Sequence, residues 1–364
     1  MKVLILSISS MLLFAIQVNA QQTPPSPQPV VTIANTFASH VTTNVVAGPE
    51  IHVKIDTKQT EHQQDLEPQK VKNFTKTFTL DKNDKINLFN EYGAITIKTW
   101  EKNEIKVDAE IRAFANTDNE AQKLLDIASI NASKAGDEIS FITDIDNKNN
   151  WKFNGKKREV KVFMTVYMPS TNVLKAAQEY GNIVIGDYSG ATTLTVEYGS
   201  LTTGALKNSN NVIRVEYGSA AIKSLNQAKI DTEYGSGITI GSAGALTINA
   251  EYTNVKIGSL KGKTTVNLEY GKLTADEVSD SFTINAEYST ISLGFNPNFR
   301  SSLNVATNYG SFKYGENVNV KRQNLGNEDR YSSNRRYTGD IGKGDNRGGE
   351  SVTVRSEYST IIFK

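Results

Sequence analysis

The sequence EYGNIVIGDYSGATTLTVEYGS, residues 179–200, decides the fold, because it contains two copies of Glu-Tyr-Gly eighteen residues apart. The Glu-Tyr pair recurs through the second half of the chain at spacings of 17 to 19 residues. Self-similarity at a short fixed period is typical of solenoids. The pairs are Glu179-Tyr180, Glu197-Tyr198, Glu216-Tyr217, Glu233-Tyr234, Glu251-Tyr252, Glu269-Tyr270 and Glu287-Tyr288.

Three further copies lie outside this regular series. Asn308-Tyr309-Gly310 continues it with one substitution, and Glu357-Tyr358-Ser359 ends it after an insertion. An early copy, Glu91-Tyr92-Gly93, stands 88 residues ahead of the next one. We therefore expect a first coil, a long insertion, and then the continuous repeats. A stack of coils needs caps, for which the candidates are the region before residue 173 and the final strand, residues 352–363.

The apolar residues of each coil predict which side chains share a face. Leu194 and Val196 lie three residues and one residue before Glu197. Because side chains alternate along a strand, these two share a face with Tyr198, and Glu197 points the other way. We therefore expect the tyrosines to form a ladder in the core. The alternative is an exposed column, which would offer a platform for stacking sugars.

After the Gly, the apolar positions restart four and six residues past the Glu, so the alternation shifts by one residue. A bend at Gly explains the shift, because Gly accepts backbone angles that other residues resist. The residues assigned to the structural repeat are Tyr180, Gly181, Tyr198, Gly199, Tyr217, Gly218, Tyr234, Gly235, Tyr252, Tyr270, Gly271 and Tyr288.

These patterns predict an all-β chain: a parallel β-helix or β-roll solenoid with about 18 residues per coil, preceded by a β-rich region with one short helix. Thr117 followed by Glu120 forms the capping box of that helix. The expected divisions are a signal peptide (1–20), a Pro/Gln/Thr-rich linker (21–72), a β-rich N-terminal region or cap (73–172), solenoid repeats (173–312), a flexible loop insertion (313–351) and a terminal strand (352–364).

The N-terminus and the composition indicate the cellular setting. Lys2, an apolar run and small residues before Gln21 are typical of a secretory signal peptide, so we expect the periplasm, the outer cell surface or the extracellular space. No stretch is long and apolar enough to span a membrane. The chain has no cysteine, and 40 basic residues balance 39 acidic ones. A nucleic-acid partner is therefore not expected, because phosphate binding needs a concentrated positive face.

Three segments together carry a family resemblance. They are INLFNEYGAITIKTW (residues 86–100), Tyr-Met-Pro at 167–169 followed by EYGNIVI at 179–185, and the later coils. Residues 73–364 resemble a bacterial adhesin-like β-strand-repeat family of unknown function, which is related to proposed adhesin head domains. The resemblance implies a β-helical fold and an extracytoplasmic, adhesive role. It supplies no binding residues.

The Glu column is the most distinctive set of candidate site residues. In-register stacking would place Glu197, Glu216, Glu233, Glu251, Glu269 and Glu287 in one file. Three interpretations stay open: a solvated file, a site for calcium or basic partners, or a catalytic carboxylate pair, which needs a differentiated acid and base. All three histidines, His40, His52 and His62, lie in the expected linker, so no His metal site or Ser-His-Asp triad is expected in the repeats.

The insertion at residues 313–351 mixes Gly, Asn and Tyr with basic and acidic residues. It is predicted to be a surface loop, with a binding loop for anionic glycan or cell envelope as the alternative.

These observations favour a non-enzymatic exported β-solenoid that acts as an adhesin or as a structural or interaction module of the cell envelope. Its expected partner is a glycan or a cell-envelope or surface protein, and no cofactor is expected. The alternative is a carbohydrate-active β-helix enzyme, a polysaccharide lyase or hydrolase. A scaffold for an envelope signalling system is the third hypothesis.

Overall fold

The structure is a computed structural model that describes residues 69–146, 158–323, 333–343 and 349–364. The predicted signal peptide and nearly all of the predicted linker lie outside the described residues. The described residues belong to one compact unit, Leu66–Lys364.

The N-terminal region contains seven strands and the one helix of the described chain. The helix, α1, spans Asp118–Asp126, and the Thr117 side chain accepts a hydrogen bond from the Glu120 amide at its start. This confirms the predicted helix. The strands are β1 (Lys70–Thr79), β2 (Lys85–Asn90), β3 (Gly93–Thr99), β4 (Glu104–Phe114), β5 (Ala128–Ala135), β6 (Glu138–Ile145) and β7 (Glu159–Met168).

The repeat region follows, and most of its repeats contribute one strand that ends at the Glu and a second that begins shortly after the Tyr. We call the Tyr and the residue that follows it the corner of the repeat. Its strands are β8 (Val173–Glu179), β9 (Gly181–Ile185), β10 (Thr192–Glu197), β11 (Ser200–Leu206), β12 (Asn211–Glu216), β13 (Ser219–Glu233), β14 (Gly237–Glu251), β15 (Asn254–Leu260), β16 (Thr264–Glu269), β17 (Lys272–Val278), β18 (Phe282–Glu287), β19 (Thr290–Phe295), β20 (Ser301–Asn308) and β21 (Ser311–Lys313). The last four strands are β22 (Val318–Arg322), β23 (Arg335–Ile341), β24 (Ser351–Glu357) and β25 (Thr360–Phe363).

The strands pair in two ladders. The first ladder runs β5–β6–β2–β8–β10–β12–β13–β14–β16–β18–β24–β20–β23–β22. The second ladder runs β1–β4–β7–β3–β9–β11–β13–β14–β15–β17–β19–β25–β21. The long strands β13 and β14 belong to both, so the described strands form one large mixed sheet, which is not closed. The prediction of an all-β chain with one helix is confirmed.

Pairing is parallel and in register through the repeats and antiparallel at several outer strands. The early copy stacks on the first regular repeat, since β2 pairs with β8 and β3 with β9. The expected long insertion after it supplies β4 to β7. Apolar side chains alternate into the core along each strand: Leu194, Val196, Ile213 and Val215 are fully buried.

Two expectations about the C-terminal part are corrected. The insertion at residues 313–351 was predicted to be a loop, but its described parts contain β22 and β23, which pair antiparallel with each other and continue the first ladder beyond β20. The alternation of Val318 and Val320 is too short for the sequence to predict these strands. The final strands, β24 and β25, do not cap the stack; they lie between β18–β19 and β20–β21.

Candidate functional site

The tyrosines of the repeat lie on the outside, so the prediction that they pack in the core is wrong. Tyr180, Tyr198, Tyr217, Tyr234, Tyr252, Tyr270, Tyr288 and Tyr358 are 43–48% exposed, and Tyr309 is 61% exposed. All nine have φ between +46° and +52°. The strand ends at the Glu, and the left-handed conformation of the next residue rotates the Tyr side chain out of the alternation that was expected to carry it inward.

This conformation is costly for a tyrosine. A non-glycine residue in the left-handed region loses roughly 1–2 kcal/mol, and repeated strain of one kind is a pointer to function. Glycine or asparagine would adopt these angles more easily. The bend alone does not explain the recurrence of tyrosine at this position, so we attribute it to the aromatic ring.

In the regular repeats, the glycine after the tyrosine is required by close packing, and not by the bend that was predicted for it. Gly181, Gly199, Gly218, Gly235 and Gly271 are absent from the residues with positive φ. A Cβ atom added to Gly199 would lie 1.7 Å from the carbonyl oxygen of Gly181 in the neighbouring repeat. The backbones of successive corners are thus in direct contact.

Hydroxyl residues replace this glycine in three repeats. Thr253 Oγ1 accepts a hydrogen bond from the Gly235 amide (2.8 Å) and donates to the Glu251 carbonyl (3.0 Å). Ser289 and Ser359 donate in the same way to the carbonyls of Glu287 and Glu357. The amides of Gly271 and Ser289 likewise donate to Ser289 Oγ (3.1 Å) and Ser359 Oγ (3.0 Å), so these hydroxyls join one corner to the next.

The rings form one continuous stack, the Tyr column, in the order Tyr92, Tyr180, Tyr198, Tyr217, Tyr234, Tyr252, Tyr270, Tyr288, Tyr358 and Tyr309. Neighbouring centroids are 4.7–5.2 Å apart, and beyond the first pair the planes are within 6° of parallel. Each inner ring has its two faces covered by its neighbours. The sugar-stacking platform is therefore not formed along the column, which presents ring edges and hydroxyl groups.

Partial desolvation within the column raises the pKa of Tyr198, Tyr234, Tyr270 and Tyr358, and neighbouring tyrosines and glutamates add to the effect. The phenols are therefore neutral at ordinary pH and can donate hydrogen bonds. They form a row of donors that follows the stack.

The Glu column is in register, as predicted. Pairing along the first ladder aligns Glu179, Glu197, Glu216, Glu233, Glu251, Glu269, Glu287 and Glu357. Burial, and then the charge of Glu91, raises the pKa of Glu179. Among the described residues, no three acidic or histidine side chains converge to hold a metal ion. The carboxylates lie in a line, about 4.8 Å apart from one repeat to the next, and do not surround a common point where an ion would bind.

A third column lies beside the glutamates and was missed in the sequence. The Asn column consists of Asp231, Asn249, Asn267 and Asn285, each two residues before a Glu. Asn285 donates to Asn267 Oδ1 (2.9 Å), Asn267 to Asn249 Oδ1 (2.8 Å) and Asn249 to Asp231 Oδ1 (2.7 Å). The eighteen-residue recurrence of Asn is visible in the sequence and was the available signal.

Members of the Glu column and the Asn column line a groove on the outer face of the first ladder, with a volume of about 640 Å³. Arg214 and Lys229 supply positive charge there, and Lys229 lies 3.0 Å from Asp231. Burial favours a higher pKa for Asp231, but hydrogen bonds from Asn249 and Lys229 outweigh it and lower the pKa. The groove lining includes Arg214, Glu216, Lys229, Asp231, Glu233, Asn249, Glu251, Asn267 and Glu269.

The groove offers donors and acceptors in one place. Asn267 uses one N–H and one oxygen lone pair within the Asn column, which leaves one donor and one acceptor site on its amide. The four glutamates of the groove recur at the same position in each repeat, whereas Asp231 occurs once and forms an ion pair with Lys229. His40, His52 and His62 lie outside the described residues.

No helix in the described part of the chain has the length and hydropathy to cross a bilayer. No protein-family model matches the sequence, and no curated protein matches it. Among solved structures, the chain is similar to a putative adhesin from Parabacteroides distasonis (12% identity, TM-score 0.44) over 80% of this chain and 97% of that one. It is similar to a putative adhesin from Bacteroides fragilis (10%, 0.32) over 80% and 97%.

A third similar structure is a putative lipid binding protein from Parabacteroides distasonis (9% identity, TM-score 0.36), matched over 62% of this chain and 91% of that one. Two of these three structures are described as putative adhesins, as are relatives of the family that residues 73–364 resemble.

Proposed function

We propose that this chain is an exported, non-enzymatic binding module of the adhesin type, whose repeats wind as a β-solenoid and hold an extended glycan of the cell envelope or of another surface. The observation that carries the proposal is the groove on the outer face of the first ladder, which is lined by members of the Glu and Asn columns.

The periodicity of the groove favours a polymer. A chain lying in the groove along the Asn column meets an amide and a carboxylate once per repeat, about every 4.8 Å. In-register pairing keeps the carboxylates in line from Glu179 to Glu357, and the amide recurs in three successive repeats, at Asn249, Asn267 and Asn285. Weak contacts repeated along one ligand add up, as in other multivalent binding.

The charge of the groove favours an uncharged, hydroxyl-rich ligand. The Glu column repels a polyanion, since neighbouring carboxylates already repel one another by about 1 kcal/mol at the dielectric constant of water. Arg214 and Lys229 balance only part of this charge. Sugar hydroxyls both donate and accept hydrogen bonds, which suits the amides of Asn249 and Asn267.

The test is retention of the purified protein on a panel of neutral, acidic and basic polysaccharides. We expect binding to a neutral glycan, with a loss of about tenfold or more in the double variant Asn249→Ala/Asn267→Ala, since two hydrogen-bonding groups of about 1 kcal/mol each are removed. Thr239→Ala/Thr274→Ala is the matched control, because both residues lie on the outer face of the second ladder.

The same incubations separate binding from catalysis. Release of reducing ends or unsaturated products from any bound polysaccharide would replace the proposal with the alternative of a polysaccharide lyase or hydrolase. Equal weakening of binding by the two double variants would show that the groove is not the binding site.

A further inference from the structure

The two ends of the Tyr column differ. Each inner ring is covered on both faces, so only an end ring can present a face to a ligand. Tyr92, at the N-terminal end, is half-buried. Tyr309, at the C-terminal end, is 61% exposed, against 43–48% for the rings between them. In the described part of the chain, the ring that stacks on Tyr309 is Tyr358, at 5.0 Å and 6° from parallel, so the other face of Tyr309 is open.

The column ends at Tyr309 because of the direction of the next strand. β20 pairs in parallel with β24, which precedes Tyr358, but antiparallel with β23 on its other side. In the regular repeats a parallel neighbour places a tyrosine beside each tyrosine. β23 begins at Arg335, and Ser333, two residues before it, donates a hydrogen bond from Oγ to Asn308 Oδ1 (2.6 Å). Within the residues that the structure describes, this antiparallel neighbour supplies no ring that covers Tyr309.

The Glu column is interrupted at the same place. The residue before the tyrosine is Glu in every other member of the Tyr column, and it is Asn308 before Tyr309. Asn308 Nδ2 donates to Glu357 Oε1 (3.2 Å), and its Oδ1 accepts from Ser333. A side-chain amide has two N–H groups and two lone pairs on its oxygen, so Asn308 retains one donor and one acceptor. The open ring is thus accompanied by a neutral amide instead of a carboxylate.

We propose that the open face of Tyr309 and the amide of Asn308 form a binding site for one sugar ring. The face of an aromatic ring carries the negative part of its quadrupole, which attracts the weakly positive C–H groups on the flat face of a pyranose. Hydroxyl groups at the edge of the same sugar both donate and accept hydrogen bonds, which suits the remaining N–H and lone pair of Asn308. The site thus matches a ligand with an apolar face and a polar rim.

This site is distinct from the groove. The groove lining extends from Arg214 to Glu269. Asn308 lies three strand spacings beyond Glu269 along the first ladder, because β18, β24 and β20 follow β16 in turn. At about 4.8 Å per spacing, this distance is roughly 14 Å. A single open ring offers no repeated contacts, so the site suits a short or terminal sugar and does not depend on the extended glycan proposed for the groove.

The test is saturation-transfer NMR on the full-length protein with soluble methyl glycosides of glucose, galactose and mannose. This measurement detects weak binding and shows which ligand protons touch the protein. We expect the strongest transfer to C–H protons on one face of one of these sugars, a several-fold loss in Tyr309→Ala and retention in Tyr309→Phe. Tyr314→Ala is the matched control and should leave the transfer unchanged, because Tyr314 is 46% exposed but lies outside the Tyr column, against Phe312.

The proposal would be overturned by no transfer to any of the glycosides, or by an equal loss in Tyr309→Ala and Tyr314→Ala. A protein dimer that Tyr309→Ala abolishes would also overturn it, since a second copy would then cover the ring. The double variant Asn249→Ala/Asn267→Ala separates this site from the groove. It should show the same transfer as the unmodified protein while its retention on polysaccharides falls, and a loss of transfer there would place the sugar in the groove instead.

Discussion

The N-terminal region, residues 69–168, and the repeats after it bury similar apolar side chains but fix them in different ways. In the N-terminal region, the strand pairs β1–β4, β4–β7 and β5–β6 are antiparallel. Polar contacts there, such as the Lys134–Asp84 ion pair, are not repeated along the chain. In the repeats from β8 to β19, every strand pairs in parallel with the corresponding strand of a neighbouring repeat. Each repeat residue is therefore packed against the equivalent residues of the neighbouring repeats. A packing constraint at one corner recurs at the equivalent corners.

The largest expected effect is that of Gly199→Ala. The new Cβ would lie 1.7 Å from the Gly181 carbonyl oxygen, and backbone must move to accommodate it. We expect a loss of about 3 kcal/mol or more in the free energy of unfolding, measured by denaturant titration.

Gly136→Ala in the N-terminal region is the matched comparison. Gly136 has φ of +58°, and no atom lies within 4 Å of an added Cβ. Its loss should be limited to the backbone strain of about 1–2 kcal/mol. Equal losses for the two variants would show that contact between corners does not constrain the repeats.

The next largest expected effect is the loss of an ion pair in the N-terminal region that has no counterpart in the repeats. Asp84 is fully buried, and its Oδ2 accepts hydrogen bonds from Lys134 and the Asp81 amide, both at 2.9 Å. Lys134→Met should cost about 2 kcal/mol, less than for a fully buried pair because Lys134 is one-third exposed. Lys102→Met removes an exposed pair with Glu104 and should cost under about 0.5 kcal/mol.

Burial favours a higher pKa for Asp84, but these hydrogen bonds outweigh it and lower the pKa below that of an ordinary aspartate. A lowered folded-state pKa gives stability that is present above the unfolded-state pKa, about 3.9, and is lost as pH falls through the folded-state pKa. The wild-type protein should therefore lose more stability on acidification than Lys134→Met. Parallel pH profiles for the two proteins would contradict this assignment.

A smaller effect distinguishes the corners themselves. Tyr252→Ala removes stacking with Tyr234 and Tyr270 and should cost about 1–2 kcal/mol. Tyr252→Gly should cost about 1 kcal/mol less, because glycine also relieves the left-handed strain at φ +47°. At Tyr92, in the N-terminal region, the positive φ belongs to Gly93. Tyr92→Gly should therefore be no more stable than Tyr92→Ala, and a gain there equal to that at Tyr252 would contradict this account of the corner.

The smallest effect is at high pH. Because the pKa of several tyrosines of the column is raised above its usual value near 10, mainly by desolvation, the folded state disfavours their ionisation. Stability should fall as pH rises above 10. Phenolate absorbance of the folded protein should appear at higher pH than that of the unfolded chain, and coincident titrations would show that the column does not affect ionisation.

The periodicity of the sequence predicted the β class, the early copy and the in-register Glu column, because these depend only on which residues recur. It did not predict the direction of the tyrosines. The one-residue shift in alternation between Val196 and Leu201 shows that some residue at the corner leaves the strand conformation, but not which one. Glycine was the natural choice, but the constraint on Gly199 comes from Gly181 in the preceding repeat, which is a contact between repeats.

The groove and the position of the final strands between β18–β19 and β20–β21 were missed for related reasons. The Asn column was visible as a recurrence, but only the hydrogen bonds between Asn249, Asn267 and Asn285 show that it is a continuous edge. The 21-residue step before Tyr309 was visible as an irregular spacing. Its meaning depends on where residues 351–363 insert, which is a pairing between distant parts of the sequence.

The account depends on the corner that turns each tyrosine outward into a column beside the groove, and chemical nitration of the folded protein with peptide mapping tests this most directly. The internal reference is Tyr188, which is fully buried and donates a hydrogen bond to the Asn172 carbonyl (2.7 Å). We predict modification of Tyr198, Tyr234 and Tyr270 while Tyr188 stays unmodified. Protection of the column tyrosines to the same extent as Tyr188 would place the column in the core and contradict the account.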